Sequence, residues 1–258
     1  MVELRQGGQG AYPLAGRVAI VAGGSGGIGF ATASRLAEGG AHVVVGYNNG
    51  AEKAQELLGL LKGPGRHQAL RIPMGDSAAI RAAAEVVESE FGVAHILINS
   101  AGITKAVPHA DLEALDDDSF DRILVTNVRG PFATVRAFAP LLRRGDDSII
   151  VNVSSISAST GLGSSIAYCA SKAALDTMSL SLARVLGPEI RVITVSPAAV
   201  ATDFVPGRGR EGVEKQAAAT PLRRVCEPDD VAMAIESAIC HLRSTTGSTI
   251  VVDGGRHL

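Results

Sequence analysis

The sequence predicts one open, doubly wound α/β domain, a seven-stranded parallel sheet with helices on both faces. Three observations predict it. Short aliphatic runs, mostly continuous in Val and Ile rather than alternating, recur between amphipathic stretches, as strands buried on both faces require. The first such run passes through a glycine-rich turn straight into a helical stretch. The length, 258 residues, suits one large domain and is enough to bury most of the apolar surface of the unfolded chain.

Strands are expected at 18–22, 42–47, 69–73, 96–99, 148–153, 191–196 and 249–252. The helical stretches between them are 28–38, 51–62, 78–91, 118–143, 167–186 and 228–241. Pro228 suits a first-turn proline, and Asp229 and Asp230 suit the positive end of that helix. Residues 203–220 break the rhythm with Pro206, Gly207, Arg208, Gly209, Arg210 and Gly212, which reads as a mobile flap over a ligand or as an ordinary solvated loop. Residues 1–13 read as a flexible tail before a catalytic domain at 14–258.

Composition excludes several classes. Lys and Arg number 24 against 26 Asp and Glu, a formal net charge of -2 with no basic block, so nucleic acid is not an expected partner. Cys169, Cys226 and Cys240 are odd in number and widely spaced, which fits neither a disulfide framework nor a metal motif and fits a reducing cytoplasm. No run approaches the ~18 apolar residues of a membrane span, and the first stretch lacks the order of a signal peptide.

The turn Gly23-Gly24-Ser25-Gly26-Gly27-Ile28-Gly29 carries the first functional signal. Gly23 permits the turn, Gly27 lets backbone approach a pyrophosphate, and Gly29 allows close helix–strand packing, while the helix N-terminus offers free N–H groups to phosphate. At the end of the second strand an acidic side chain would bond the ribose of NAD and repel a 2′-phosphate. Tyr47, Asn48 and Asn49 stand there instead, so NADP(H) is favoured and NAD(H) is the alternative, with Ser25 or the asparagines contacting the phosphate. Asp76, with Ser77 beside it, is a candidate partner for the adenine amino group, although aspartate in an exposed turn is equally ordinary.

Tyr168 and Lys172 are four apart in a helical stretch and share a face. A nearby ammonium favours tyrosinate, so Lys172 is expected to lower the phenol's pKa toward neutrality and let Tyr168 give or take a proton. Ser155 lies thirteen positions earlier at the C-terminal end of the fifth strand, the sheet edge where ligands bind, and can hold a substrate oxygen in line with Tyr168.

With Tyr168-Cys169-Ala170-Ser171-Lys172, Ser155 and the glycine turn in place, the chain resembles the classical short-chain dehydrogenases/reductases over about residues 14–255. Asn99-Ser100-Ala101-Gly102 stands where that family has Asn-Asn-Ala-Gly. Ser196-Pro197 with Val200-Ala201-Thr202 matches its nicotinamide-contacting segment, and Val252-Asp253-Gly254-Gly255 its last strand. The resemblance implies a Rossmann-type fold and hydride transfer between nicotinamide and a carbonyl or secondary alcohol. It places cofactor contacts at Asn99, Ala101, Gly102, Pro197, Val200, Thr202, Tyr168 and Lys172. It also implies that Asn127 orders a water linking Lys172 to solvent. Ala22, Ser100 and Ala198 depart from the pattern: a bracing hydroxyl is lost at Ala22, and a methyl is added beside the nicotinamide at Ala198.

Substrate selection is expected from Ser155, Ile156, Gly163, Ile166, Tyr168 and the 203–220 flap. The similarity in overall pattern is to 3-oxoacyl-thioester reductases. A sugar, steroid or small-alcohol dehydrogenase is the alternative, and a catalytically silent NADP-binding module the rival from another class. Members of the family commonly pair two long helices, here 118–143 and 167–186, and pack the last strand across a second dyad, which implies a homodimer or homotetramer.

Overall fold

The first aliphatic run forms β1 (Val18–Ala22), buried at every residue because it has neighbours on both sides and helices on both faces. The computed structural model describes residues 13–258, so the expected tail lies outside the described residues except for Pro13. Six more strands follow, β2 (His42–Tyr47), β3 (His67–Arg71), β4 (Ile96–Asn99), β5 (Ser148–Val153), β6 (Ile190–Pro197) and β7 (Ser248–Val252). Their spatial order is β3-β2-β1-β4-β5-β6-β7, and every pair is parallel.

Alternation along these strands divides the apolar residues between two cores. Ala19, Val21, Ile96 and Ile98 face α1 (Gly27–Glu38) and α9 (Pro228–Cys240), meeting Leu36, Val231 and Ile235. Val18, Ile20 and Leu97 face the other way, toward α3 (Ser77–Phe91), α5 (Gly130–Leu142) and α7 (Ile166–Leu186), meeting Ile80, Phe138 and Leu182. A strand filling two cores has no polar face, which is why its sequence reads as a continuous apolar run. From β1 the chain runs outward through β2 and β3, then returns to place β4 on β1's other side. The crevice at that reversal opens at the C-terminal strand ends.

Several boundaries differ from those the sequence predicts. β3 lies two residues earlier than 69–73, because pairing with β2 runs from Val43–His67 to Tyr47–Arg71, and Ile72 and Met74 are buried beyond the ladder. The helix expected over 51–62 is α2 (Ala51–Leu58), which tightens at Gly59 into i to i+3 hydrogen bonds. The long helix expected over 118–143 is α4 (Asp117–Leu124), a π-helical turn (Val125–Arg129) and α5. Pro131 explains the interruption: it has no N–H to give the carbonyl of Asn127, so the α-helical ladder cannot pass through unbroken. The sequence reading missed α6 (Ser157–Thr160) and α8 (Gly209–Ala218), the latter inside the expected flap.

Candidate active site

The glycine turn is closed by contacts that only glycines allow. Gly23 has φ +82, and a Cβ there would lie 2.5 Å from the backbone nitrogen of Ala101; one on Gly29 would lie 2.1 Å from the carbonyl oxygen of Gly23. The turn is therefore pressed against the segment after β4. The residue capping α1 is Gly26, which has no side chain to do so, and no acidic residue stands in the helix's first turn, so the first N–H groups remain open to an anion.

A groove of about 450 Å³ runs along this turn, walled by Gly23, Ser25, Gly27, Ile28 and Gly29, by Asn48 and Asn49, and by Ala101 and Gly102. It adjoins a cavity of about 750 Å³ whose wall includes Ser155, Ile156, Gly163, Tyr168, Lys172, Pro197, Val200 and Thr202. Ile28, Ser100, Gly102, Thr202 and Phe204 line both, so the two form one cleft. Its shape, its open helix N-terminus and its glycine cradle fit a dinucleotide laid from the turn toward Tyr168. The added methyl of Ala198 lies in the wall of the larger cavity.

Four expected cofactor contacts lie outside both walls, as does one expected substrate contact. Asp76 caps α3, its Oδ1 accepting from the N–H groups of Ala78 and Ala79 at 3.0 Å. Ser77 accepts from Arg129 at 3.3 Å, and the Tyr47 carbonyl accepts from Ile72. Asn99 is buried in a chain that ties β4 to β5, α5 and α7. Its Nδ2 donates to Asn152 Oδ1 at 2.8 Å, Asn152 Nδ2 donates to Ser179 Oγ at 2.8 Å, and the Thr134 hydroxyl lies 2.7 Å from Asn99 Oδ1. Ile166 is exposed at the start of α7, two residues before Tyr168 and so about 200° around the helix from it. The Asn99 chain yields a first prediction. Asn152→Ala leaves the buried Asn99 Nδ2 without its partner, while Ser179 keeps its donation to the Leu175 carbonyl, and should lower stability by about 1–3 kcal/mol. An unchanged urea midpoint would refute that role.

Tyr168 enters the cavity from the first turn of α7, where Ser165 Oγ accepts its backbone N–H at 3.3 Å. Lys172 follows one turn on, its Nζ 5.7 Å from the Tyr168 ring centroid and donating to the Val153 carbonyl at 2.8 Å. Ser155 Oγ lies 3.1 Å from Ser157 Oγ and accepts the N–H of Ser157 at 3.2 Å. The electrostatics correct the sequence reading. Burial pushes the Tyr168 phenol up to about 12, against a lowering hydrogen bond with Ser155 and the charge of Arg208, and Lys172 is not among the causes. Burial also pushes Lys172 down to about 8, opposed by the charge of Asp176. Tyr168 is therefore held as a neutral phenol, the form that can donate a proton, and Lys172 titrates closer to neutrality.

Asn127 sits in the π turn, fully enclosed. Its Oδ1 accepts the Ile103 N–H at 2.9 Å, and its Nδ2 donates to the Ile103 carbonyl and to Ser171 Oγ, each at 3.0 Å. The side chain thus clamps the segment after β4 to α7, while Pro131 leaves its backbone carbonyl without an α-helical donor. Sequence reasoning missed Ser157 and Asp176; Phe204 and Arg208 belong to the 203–220 segment expected to select substrate, but neither was given a role of its own. Asp176 was the one with a signal, one further turn along the Tyr168–Lys172 face. Phe204 packs on Tyr168 with ring centroids 5.8 Å apart.

A phenol, a hydroxyl and an ammonium gathered at the C-terminal sheet edge, beside a dinucleotide groove, define a nicotinamide-dependent oxidoreductase. A family model described as enoyl-(acyl carrier protein) reductase matches residues 22–257. D-threitol dehydrogenase of Mycolicibacterium smegmatis is 34% identical over 251 residues, covering 95% of this chain and 94% of that protein. A 3-oxoacyl-acyl-carrier-protein reductase of Staphylococcus aureus is 30% identical over 243 residues, covering 93% and 98%. A short-chain dehydrogenase from Burkholderia cenocepacia, solved in complex with NADP, is 35% identical, covers 96% of this chain and 100% of that one, and superposes with a TM-score of 0.87. The chain belongs to the short-chain dehydrogenase/reductase family.

Proposed function

We propose that the protein is an NADP(H)-dependent reductase of a carbonyl substrate, of the 3-oxoacyl-thioester class. The observation that carries the reaction is the convergence of Ser155, Tyr168 and Lys172 on the wall of a cavity continuous with the glycine groove. Bound NADPH supplies the hydride. Ser155 and Tyr168 hold the carbonyl oxygen, and the phenol protonates the oxygen as charge develops on it. Lys172, held by Val153, orients the cofactor ribose and restores the proton to Tyr168. Asn127 positions the Ile103 segment and α7, and its backbone carbonyl is available to a water on the path from Lys172 to solvent.

NADP is supported by the groove itself, where no acidic residue lines the wall and Arg122 adds a cation, and by the NADP complex of the solved relative. The acyl reading is supported by the 3-oxoacyl reductase among the relatives and by a cavity wall rich in apolar residues such as Ile156, Leu162, Val205 and Phe204. No helix among the described residues is long and apolar enough to cross a membrane, and the three cysteines are free, in keeping with a cytoplasmic enzyme. Exposed Phe132, Leu180 and Val185 on α5 and α7 fit a homo-oligomer built on those helices, and exposed Val251 fits a second contact at the β7 edge.

The direct test is NADPH consumption against a panel of ketones, sugars and 3-oxoacyl thioesters. No turnover with any carbonyl compound would overturn the assignment. The pH profile provides a second test. The phenol stays protonated far above neutrality, so reduction should decline as pH rises through about 8, where Lys172 loses its charge. A rate flat to about two units beyond that value would remove Lys172 from proton supply.

A further inference from the structure

The reaction assigned above needs only one cation, Lys172, yet the cavity holds more positive charge than that. Arg208 and Arg256 also line it, and no aspartate or glutamate stands in its wall. Arg256 is partly occupied, its Nη1 donating to the Gln216 carbonyl at 3.4 Å. Arg208 is less satisfied. Its Nη2 donates to the Val200 carbonyl at 3.2 Å, while its Nε is buried without a hydrogen-bond partner.

A half-buried guanidinium with no carboxylate in the wall around it costs free energy that an anionic ligand in the same cavity would offset. The other arginine of this segment, Arg210, is paired with Glu214 and Glu227, so carboxylates are at hand but none faces Arg208. Arg208 also stands close enough for the Tyr168 phenol to feel its charge. Whatever completes it therefore lies near the reacting carbonyl. A planar guanidinium fork is the group suited to bind carboxylate.

We propose that Arg208 binds a carboxylate carried by the substrate a few bonds from its carbonyl, so that the preferred substrates are oxo acids rather than neutral ketones. The proposal rests on the carbonyl-reductase reading but departs from its thioester class, because in a 3-oxoacyl thioester the carboxyl carbon is esterified and carries no charge. Phosphates on a thioester carrier are a poorer match, because a pantetheine arm separates them from the reacting carbon.

The test compares each acid with its neutral ester: acetoacetate with methyl acetoacetate, and levulinate with methyl levulinate. It is run on the wild type, Arg208→Leu and Arg208→Lys, each checked for fold by circular dichroism. The wild type should favour the acid of at least one pair. Arg208→Leu should cut the acid-to-ester ratio of kcat/KM about ten- to a hundred-fold, and Arg208→Lys should restore part of it. If the wild type favours neither acid, the proposal fails. It also fails if Arg208→Leu slows acid and ester alike, which would make Arg208 an electrostatic aid to Tyr168, or if it weakens only NADPH binding. A ratio that moves only between coenzyme A and N-acetylcysteamine thioesters would overturn it in favour of a carrier phosphate. Absence of turnover with esters and acids alike would instead strike at the carbonyl-reductase reading.

Discussion

Replacing Tyr168 with phenylalanine should lower NADPH-dependent carbonyl reduction by about 10²- to 10⁴-fold, the range typical of losing a positioned general acid. The ring itself is kept, so its packing on Phe204 survives. What disappears is a proton held on the phenol by burial and aimed, with Ser155, at one point in the cavity. The loss should fall on kcat more than on KM, because the missing bond strengthens only as the oxygen gains charge. Stopped-flow or steady-state measurement of NADPH consumption decides it. A variant that keeps the wild-type rate would exclude Tyr168 as the acid and leave Ser155 and Lys172 without a partner.

Gly29→Ala should be the most damaging small change in the cofactor groove. Its Cβ would sit 2.1 Å from the carbonyl oxygen of Gly23, a distance no rotamer can relieve because the backbone alone fixes the position of Cβ and the oxygen is itself backbone. Gly23 cannot retreat either, since it lies against the backbone of Ala101. The turn must open or α1 must shift, and overpacking of this kind typically costs about 1–3 kcal/mol. The same shift moves the N–H groups that face the groove, so NADPH affinity should fall together with stability. Urea unfolding with and without NADPH measures both. An unchanged midpoint and an unchanged dissociation constant would mean that the turn is softer than its contacts indicate.

Much of the architecture was legible in the residues, for an identifiable reason. Strands buried on both faces are apolar at most positions, so β1, β2, β4 and β5 announced themselves with the bounds found in the structure. Edge strands lack that constraint. β3 is only partly buried and polar at His67 and Gln68, so its start was hidden and the adjacent Ile72 was taken for part of it. The split at the π turn could be anticipated from Pro131, but the periodicity of the apolar residues carries across it and reads as one helix.

The site divides in the same way. By itself the sequence determined the chemistry: a turn that only glycine can close, and a serine, tyrosine and lysine whose spacing places them on one helix face and one strand end. Those features depend on local geometry, which is encoded within a few residues. Only the tertiary structure decided the electrostatics and the second ring of partners. Burial, not the neighbouring amine, governs the Tyr168 phenol, and the Asn99 side chain is tied to Asn152 and Thr134. Arg208 reaches the cavity from a segment more than thirty residues beyond Tyr168. Desolvation and long-range charge depend on everything packed around a group, and no spacing along the chain records that.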